Sequence, residues 1–306
     1  MSTINQQVGK TLGKPRTKIA KKPWYKNEKT LRKIMHYTVT YFFLFLGVAI
    51  FLVPFVGMFT TALKGPKEIF AFPLKLFPER ARWENFYNGW YSYLPFTQFL
   101  INSVKISTNA VIGNLVSCAL PAFAFARLRA RGSNILFGLV LATMILPQEV
   151  TIVPQYLLFT NLGWNNTHLP LMVPPWLGWP FFIFLLRQFF MTLPKDLDAA
   201  ARIDGANSWQ IFWHIILPLA KPALATIVIF SFMANWNNFL GPLIYLRDEE
   251  LLTLPIGLLQ YQSQFGVTDY HHMMAVAVIM LVPVLILFLL GQKLFVQGIA
   301  LTGMKG

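Results

Sequence analysis

A polar stretch separates two very apolar segments in the second half of the chain: residues 193–218 read LPKDLDAAARIDGANSWQIFWHIILP. Pro194 suits the first position of a helix, where its missing N–H is no loss. Asp196 and Asp198 then fall in the first turn, where carboxylates stabilise the positive end of a helix. Gly205 follows, and because glycine has no Cβ it readily adopts the left-handed backbone that ends many helices. The stretch therefore predicts a short helix that stops sharply at Gly205.

A second helix is expected directly after this turn. Asn207 or Ser208 can cap its first turn, and Gln210 stands near its third position, which is the spacing of a capping box. Apolar residues follow until Pro218, where the next apolar segment begins. We therefore predict two short helices joined by a tight turn.

The first of these helices has a small apolar stripe. Leu197, Ala200 and Ala201 are spaced i, i+3 and i+4, so they share one face. Small side chains allow a partner surface to approach closely, which favours a docking helix. An ordinary cytoplasmic loop with good helix caps is the alternative.

The composition places this stretch in a membrane protein. The chain is 55% hydrophobic and 12% charged, whereas a soluble domain is about 25% charged. A helix needs about 20 apolar residues to cross a bilayer, so we predict an all-α membrane protein with six transmembrane helices. Their predicted positions are 36–63, 95–126, 134–159, 168–191, 220–246 and 271–296, with the fourth helix broken near its start by Pro174 and Pro175.

The net charge of +14 is concentrated at the N-terminus. Ten of the 26 basic residues lie in the first 35 positions, where Glu28 is the only acid. Such an arm indicates either an orientation signal that keeps the N-terminus inside or a weak contact with anionic lipid, and its clustering argues against nucleic acid as a partner. We predict a basic cytoplasmic arm at 1–35 and a multi-pass transmembrane domain at 36–306 in the cell membrane, with the loop 192–218 and both termini in the cytoplasm.

The polar stretch resembles the signature cytoplasmic loop, the EAA loop, of binding-protein-dependent ABC importer permeases. That family's pattern runs Pro-x-Glu-Leu-x-Glu-Ala-Ala-x-x-Asp-Gly-Ala and later Leu-Pro. The matching residues here are Pro194, Leu197, Ala200, Ala201, Asp204, Gly205, Ala206, Leu217 and Pro218. Asp196 replaces the first Glu of the pattern, and Ala199 stands in place of the second, so Asp198 is the nearest carboxylate.

Further motifs are similar to the carbohydrate branch of that family, and most similar to the smaller permease of the maltose-type sugar importers. They are Asn102-Ser103, the run AFAFAR at 122–127, the run WNNFLGPL at 236–243, and the C-terminal segment 295–306. The resemblance implies the type I ABC importer permease fold. It also implies a carbohydrate as the solute. A non-sugar solute such as glycerol 3-phosphate is one alternative, and a stand-alone polytopic membrane enzyme or channel is another.

The resemblance also implies a set of partners: a second, different permease, two ATP-binding ATPase subunits and an extracytoplasmic solute-binding protein. No Gly-x-x-x-x-Gly-Lys-Ser/Thr phosphate loop occurs in the sequence, so ATP and Mg²⁺ are expected at the partner subunits. We expect no enzyme activity and no cofactor of this chain's own. The residues that the resemblance assigns to ATPase coupling are Asp196, Leu197, Asp198, Ala200, Ala201, Asp204 and Gly205.

Two places in the apolar segments suggest a translocation path. Trp236, Asn237 and Asn238 put an indole and two amides at membrane depth, and sugars use such groups for stacking and hydroxyl hydrogen bonds. Glu149 follows a proline in another apolar segment, where an ionisable residue is a functional candidate. The alternatives are hydrogen bonds between permease helices for the amides and a hydrogen-bonded carboxylate at the outer interface for Glu149.

The histidines do not form a metal motif in the sequence. His271 and His272 are adjacent, and neighbouring residues on a helix point to different faces, so we predict no metal site. The acidic segment 247–270 precedes them, and we expect it on the outer side, reaching into the binding protein.

Overall fold

The computed structural model describes residues 28–73, 75–92, 94–263 and 269–303. Within these ranges every regular element is helical. The α-helices are α1 Glu28–Ala62, α2 Pro66–Ile69, α3 Glu84–Tyr91, α4 Phe96–Arg127, α5 Ser133–Thr143, α6 Gln148–Asn161, α7 Leu169–Met172, α8 Pro180–Thr192, α9 Asp196–Ile203, α10 Ser208–Ile211, α11 Leu217–Leu219, α12 Lys221–Trp236, α13 Leu240–Tyr245, α14 Leu254–Ser263 and α15 Tyr270–Gly303. Short 3-10 turns at Pro174–Leu177 and Glu249–Leu251 and a π-helical turn at Phe212–Ile216 complete the set.

Four described helical stretches are long and apolar enough to cross a membrane: Arg32–Ala62, Phe96–Arg127, Leu169–Thr192 and Tyr270–Gln292. A fifth is counted if Ser208–Leu219 and Lys221–Trp236, which meet at a bend of 75°, form one span. The all-α membrane class is therefore confirmed. The count of six is not reproduced by helix length and composition in the described ranges.

The difference lies in the predicted third span, residues 134–159. There the structure has two helices, α5 and α6, separated by residues 144–147. Pro147 has no N–H to donate and disfavours a helical backbone at the residue before it. Neither half is long enough alone. In the fourth span the expected break is confirmed, because a 3-10 turn begins at Pro174 and Gly178 has a φ of +92°.

The described residues fall into two compact units, which divide between residues 56 and 57. Residues 1–27, most of the predicted basic arm, lie outside the described ranges. In the first unit the described α1 side chains are mostly exposed and apolar, and Phe45 and Phe51 are both 76% exposed. A helix that exposes apolar surface all round is suited to lipid.

The second unit is organised around α4, which packs against α8 and α12, while α15 packs against α12 and α3. One apolar core gathers side chains from α3, the first part of α4, α14 and α15, among them Phe96, Phe99 and Tyr261. A second core gathers the last part of α4, α8 and the segment after α9, among them Phe123 and Phe190. The two ends of α4 thus belong to different cores.

The acidic segment that follows α13 folds back onto α4. The Asn102 side-chain amide donates to the carbonyls of Glu250 at 2.8 Å and Leu252 at 2.9 Å, and Ser103 accepts from the Leu254 N–H at 2.9 Å. α14 then packs so closely that a Cβ at Gly257 would overlap the Phe99 ring. Hydrogen bonds and buried apolar side chains thus hold residues 249–263 against α4, and their expected contact with the binding protein stays a prediction. Residues 264–268 lie outside the described ranges.

Candidate coupling helix and translocation cavity

The predicted helix and turn in the polar stretch are present. α9 begins at Asp196 with Lys195 in the capping position, so Pro194 lies before the cap and not at the first helical position as predicted. The helix ends as expected at Gly205, which has a φ of +85°. The Gly205 N–H donates to the Arg202 carbonyl at 3.1 Å. A Cβ here would meet nothing within 4 Å, so the requirement for glycine is conformational and not steric.

The capping box of the second helix is also confirmed. The Asn207 side-chain oxygen accepts from the Gln210 N–H at 2.9 Å, and the Gln210 side-chain oxygen accepts from the Asn207 N–H at 2.8 Å. α10 then runs into the π-helical turn Phe212–Ile216. Single π turns inside helices often mark functional places. This turn leads into the bend before α12.

The predicted coupling residues divide between two surfaces. Asp196, Leu197, Ala200, Asp204 and Gly205 are exposed. Together they form an accessible face on α9 and its turn.

The other two, Asp198 and Ala201, face the protein's own interior. Ala201 is 8% exposed and belongs to the second core, so it does not share an exposed stripe with Leu197 and Ala200 as predicted. Ile203, which sequence reasoning missed, is 87% exposed and adds apolar surface. The sequence alone does not indicate this exposure, because an isoleucine usually packs inward.

Asp198 pairs with an arginine at the end of α4. Its Oδ2 lies 3.5 Å from Nη1 of Arg127, and the two side chains are 11% and 2% exposed. Nη2 of Arg127 also donates to the Leu193 carbonyl at 2.9 Å. Opposite charges in a buried site attract strongly, and removing one leaves the other uncompensated. Asp198 therefore anchors α9 to α4 and is not part of the exposed face.

A cavity of about 550 Å³ lies between the breaks in the membrane helices. It is lined by residues of α4, α6, α12 and α13 and by the irregular backbone around Pro174–Gly178. Irregular backbone at membrane depth is tolerated where it lines a cavity. The polar and aromatic lining side chains are Asn114, Thr143, Glu149, Thr151, Gln155, Trp179, Asn235, Asn238 and Tyr245.

Two of the four predicted path residues, Glu149 and Asn238, line this cavity. Trp236 is not part of the described lining. The indole is 2% exposed, donates to the Met280 carbonyl at 3.2 Å and stacks on Phe232. Its polar group is therefore satisfied by a neighbouring helix. Asn237 is likewise absent from the lining, and its amide donates to the Met233 carbonyl at 3.0 Å.

One residue of the cavity lining, Asn114, has a side-chain oxygen that accepts no hydrogen bond from the described residues. Asn114 is fully buried, and its amide donates to Ser231 at 2.9 Å. Its side-chain oxygen has no hydrogen-bond partner among the described residues. Buried polar atoms are nearly always paired, and this inaccessible oxygen beside the cavity is an exception. Within the described lining, Glu149 is the only charged side chain.

The two adjacent histidines are not directed apart. Nδ1 of His271 lies 2.6 Å from one carboxylate oxygen of Asp269, and Nδ1 of His272 lies 2.6 Å from the other. Asp269 precedes α15 and sits over its end, where side chains two and three residues later can both reach it. The prediction that the two adjacent histidines point to different faces was therefore wrong, because that rule holds inside a helix and not at its first turn.

Comparison with known proteins gives one consistent result. Residues 117–301 match the family model described as "binding-protein-dependent transport system inner membrane component". The chain is 33% identical over 262 residues to the sn-glycerol-3-phosphate transport system permease protein UgpE of Escherichia coli O1:K1 / APEC, covering 84% of this chain and 93% of the relative. The UgpE of Yersinia pestis gives the same identity and coverage.

Solved structures show the same fold. A bacterial ABC transporter involved in the import of the acidic polysaccharide alginate superposes with a TM-score of 0.74 at 23% identity, covering 90% of this chain and 100% of that one. The inward-facing MetNI methionine ABC transporter superposes with a TM-score of 0.50 at 17% identity, over 67% of this chain and 95% of that one.

Proposed function

Because the chain belongs to the family of binding-protein-dependent inner membrane transport components, and is thus an ABC importer permease, we propose that it translocates a carbohydrate. The sugar or oligosaccharide is delivered by an extracytoplasmic solute-binding protein. A second, different permease completes the membrane pathway, and two ATPase subunits with ATP and Mg²⁺ drive it. This chain binds no cofactor of its own and contacts membrane lipid.

The observation behind the sugar proposal is the lining of the 550 Å³ cavity. Amide groups at Asn114, Asn235 and Asn238 suit hydroxyl groups, and the Trp179 ring offers a face for sugar C–H groups. A phosphate ester would call for arginine or lysine, and the described lining contains neither. The cavity therefore favours a neutral, hydroxyl-rich solute.

The proposed mechanism is alternating access. ATP binding closes the ATPase dimer and moves α9, whose exposed face is seated in one ATPase subunit. The Arg127–Asp198 pair passes that movement to α4. The permease then faces outward, and the sugar leaves the binding protein for the cavity. A ligand shifts such an equilibrium only by its differential affinity for the two states, so the docked binding protein must prefer the outward state.

The proposed orientation has both termini and the 192–218 loop in the cytoplasm. It is supported by the basic residues Arg127, Arg129, Arg131 and Lys195 next to the polar stretch and at the end of α4, because cytoplasmic loops are rich in lysine and arginine. In this orientation the segment held by Asn102 is on the outer side.

The direct test is uptake into liposomes that contain the complete transporter with its binding protein and ATP. We expect labelled oligosaccharide to enter, and entry to fall when Asn114 is replaced by leucine. Control variants at Ser133, which lies outside the cavity lining, should transport normally. Sugar uptake that is absent while another solute enters would contradict the proposal.

A second candidate solute is sn-glycerol 3-phosphate, which is favoured by the names of the relatives at 33% identity. It requires the partner permease to supply the cations that this lining lacks. Unlabelled glycerol 3-phosphate that competes for uptake, where neutral sugars do not, would favour this candidate.

A further inference from the structure

At the junction before α15, three side chains converge outside the cavity and the coupling helix. They are Asp269, His271 and His272, and their ligand-type atoms all lie within 4.8 Å of one another. The two imidazole rings are 4.1 Å apart between centroids. Both histidine side chains are about nine-tenths buried, at 10% and 8% exposed, and the aspartate is 21% exposed.

Only one of the two histidine–aspartate contacts is a hydrogen bond. The contact of His272 Nδ1 with Asp269 Oδ2 at 2.6 Å is a hydrogen bond. The contact of His271 Nδ1 with Oδ1 is equally short, yet Oδ1 is a buried atom without a hydrogen-bond partner in the described ranges. The carboxylate oxygen Oδ1 therefore has no donor although an imidazole nitrogen lies beside it. A cation bound by the two atoms would give this oxygen a partner.

We propose that Asp269, His271 and His272 bind a divalent transition-metal ion of the Zn²⁺ type at the start of α15. Two imidazole nitrogens and one carboxylate oxygen are ligands that Zn²⁺ accepts, and three protein ligands leave the fourth tetrahedral position to water. Imidazole ligands favour Zn²⁺, Cu²⁺ or Ni²⁺ over Mg²⁺ or Ca²⁺. The site goes beyond sugar transport and does not depend on it.

Binding needs a small local adjustment. Ligands about 2.0–2.1 Å from a tetrahedral ion lie roughly 3.3 Å apart, whereas the present nitrogen–oxygen distances are 2.6 Å. The Asp269 side chain must therefore withdraw by less than 1 Å, roughly the difference between these two separations. It is the most exposed of the three side chains, and rotation about its own bonds supplies this movement.

The ion would fix a junction that several elements share. α15 packs against α3 and α2, and the Tyr270 ring meets Phe70 edge to face at 5.4 Å.

The test uses the complete transporter, purified without a histidine tag and stripped with a chelator. Titration with Zn²⁺ should show one tight site per copy of this chain. Asp269→Asn and the pair His271→Asn and His272→Asn should weaken it by at least about tenfold. His214→Asn, which changes an exposed histidine, is the matched control. A wild-type complex without a Zn²⁺ site, or equal affinity in the histidine variants, overturns the proposal.

A spectroscopic readout keeps the test decisive if the histidine variants fail to fold. Cu²⁺ bound to the wild-type complex should show electron paramagnetic coupling to two imidazole nitrogens. A spectrum without nitrogen coupling overturns the proposal.

Discussion

Nη1 of Arg127, the last residue of α4, lies 3.5 Å from Oδ2 of Asp198 in the first turn of α9. The pair joins the 32-residue helix α4 of the second unit to α9. The family pattern has a glutamate at the position of Ala199, and here the acidic group stands one residue earlier and turns inward. The exposed face of α9, which we propose as the coupling face, is therefore carried by Leu197, Ala200 and the Gly205 turn, and Asp198 acts as an internal brace.

Removing this brace should damage both stability and coupling. We expect Asp198→Ala to lower the free energy of unfolding by about 3–5 kcal/mol, because Arg127 is left as an uncompensated buried charge. Stimulated ATP turnover should fall as well. The double variant Arg127→Met with Asp198→Leu should regain thermal stability without regaining coupling. Thermal unfolding and ATP turnover of the complex measure these effects, and a single variant with wild-type melting would contradict the role of the pair.

The turn at Gly205 should tolerate no β-branched residue. A left-handed backbone costs a non-glycine residue about 1–2 kcal/mol, and Gly205→Val adds β-branching to that strain. Gly163 is the matched control, because its φ is +68° and a Cβ there also meets nothing within 4 Å. Both variants should lose similar stability, but only Gly205→Val should lower the sugar transported per ATP. Equal coupling in the two variants would remove the turn from the mechanism.

Neighbouring alanines in α9 should respond differently to a bulky side chain. Ala200 is exposed, so Ala200→Trp should leave the fold intact and reduce the amount of ATPase that co-purifies with the permease. Ala201 is 8% exposed within the second core, so Ala201→Trp should lower the melting temperature through overpacking. Unchanged ATPase association in the stable Ala200→Trp protein would refute docking on this face.

Two adjacent asparagines, Asn237 and Asn238, should differ in their effect on transport. Asn238 lines the cavity and Asn237 does not, so Asn238→Ala should raise the sugar concentration needed for half-maximal uptake, by about tenfold for a lost pair of hydrogen bonds. Asn237→Ala should leave it near the wild-type value. Measured melting temperatures control for the Asn238 contact with the Gly241 N–H. Equal shifts in both variants would argue against the cavity as the path.

Local features of the site were predictable from the sequence because neighbouring residues determine them. The Gly205 turn and the Asn207–Gln210 capping box depend on backbone groups at most four residues away, and both are present. The broken fourth span likewise followed from Pro174 and its neighbour.

Features set by distant packing were not predictable in the same way. Which side of α9 is buried depends on Arg127, 71 positions before Asp198, as the ion pair shows. Trp236 and Asn238 are two residues apart, and only the position of α15 decides that the indole packs against Met280 while the amide reaches the cavity. The orphaned oxygen of Asn114 has no sequence signal, because it is defined by what surrounds it.

α4 is held at both ends by side chains that belong to it. Asn102 and Ser103 near its start form hydrogen bonds with the segment 250–254. Arg127 at its end pairs with Asp198 of α9. With 32 residues, the helix is about 48 Å long. It thus links the segment bound by Asn102 to α9, and Pro121 is the single proline at which it can flex. A stiffer helix, with Pro121 replaced by alanine, would change how much of a displacement at one end of α4 reaches the other end.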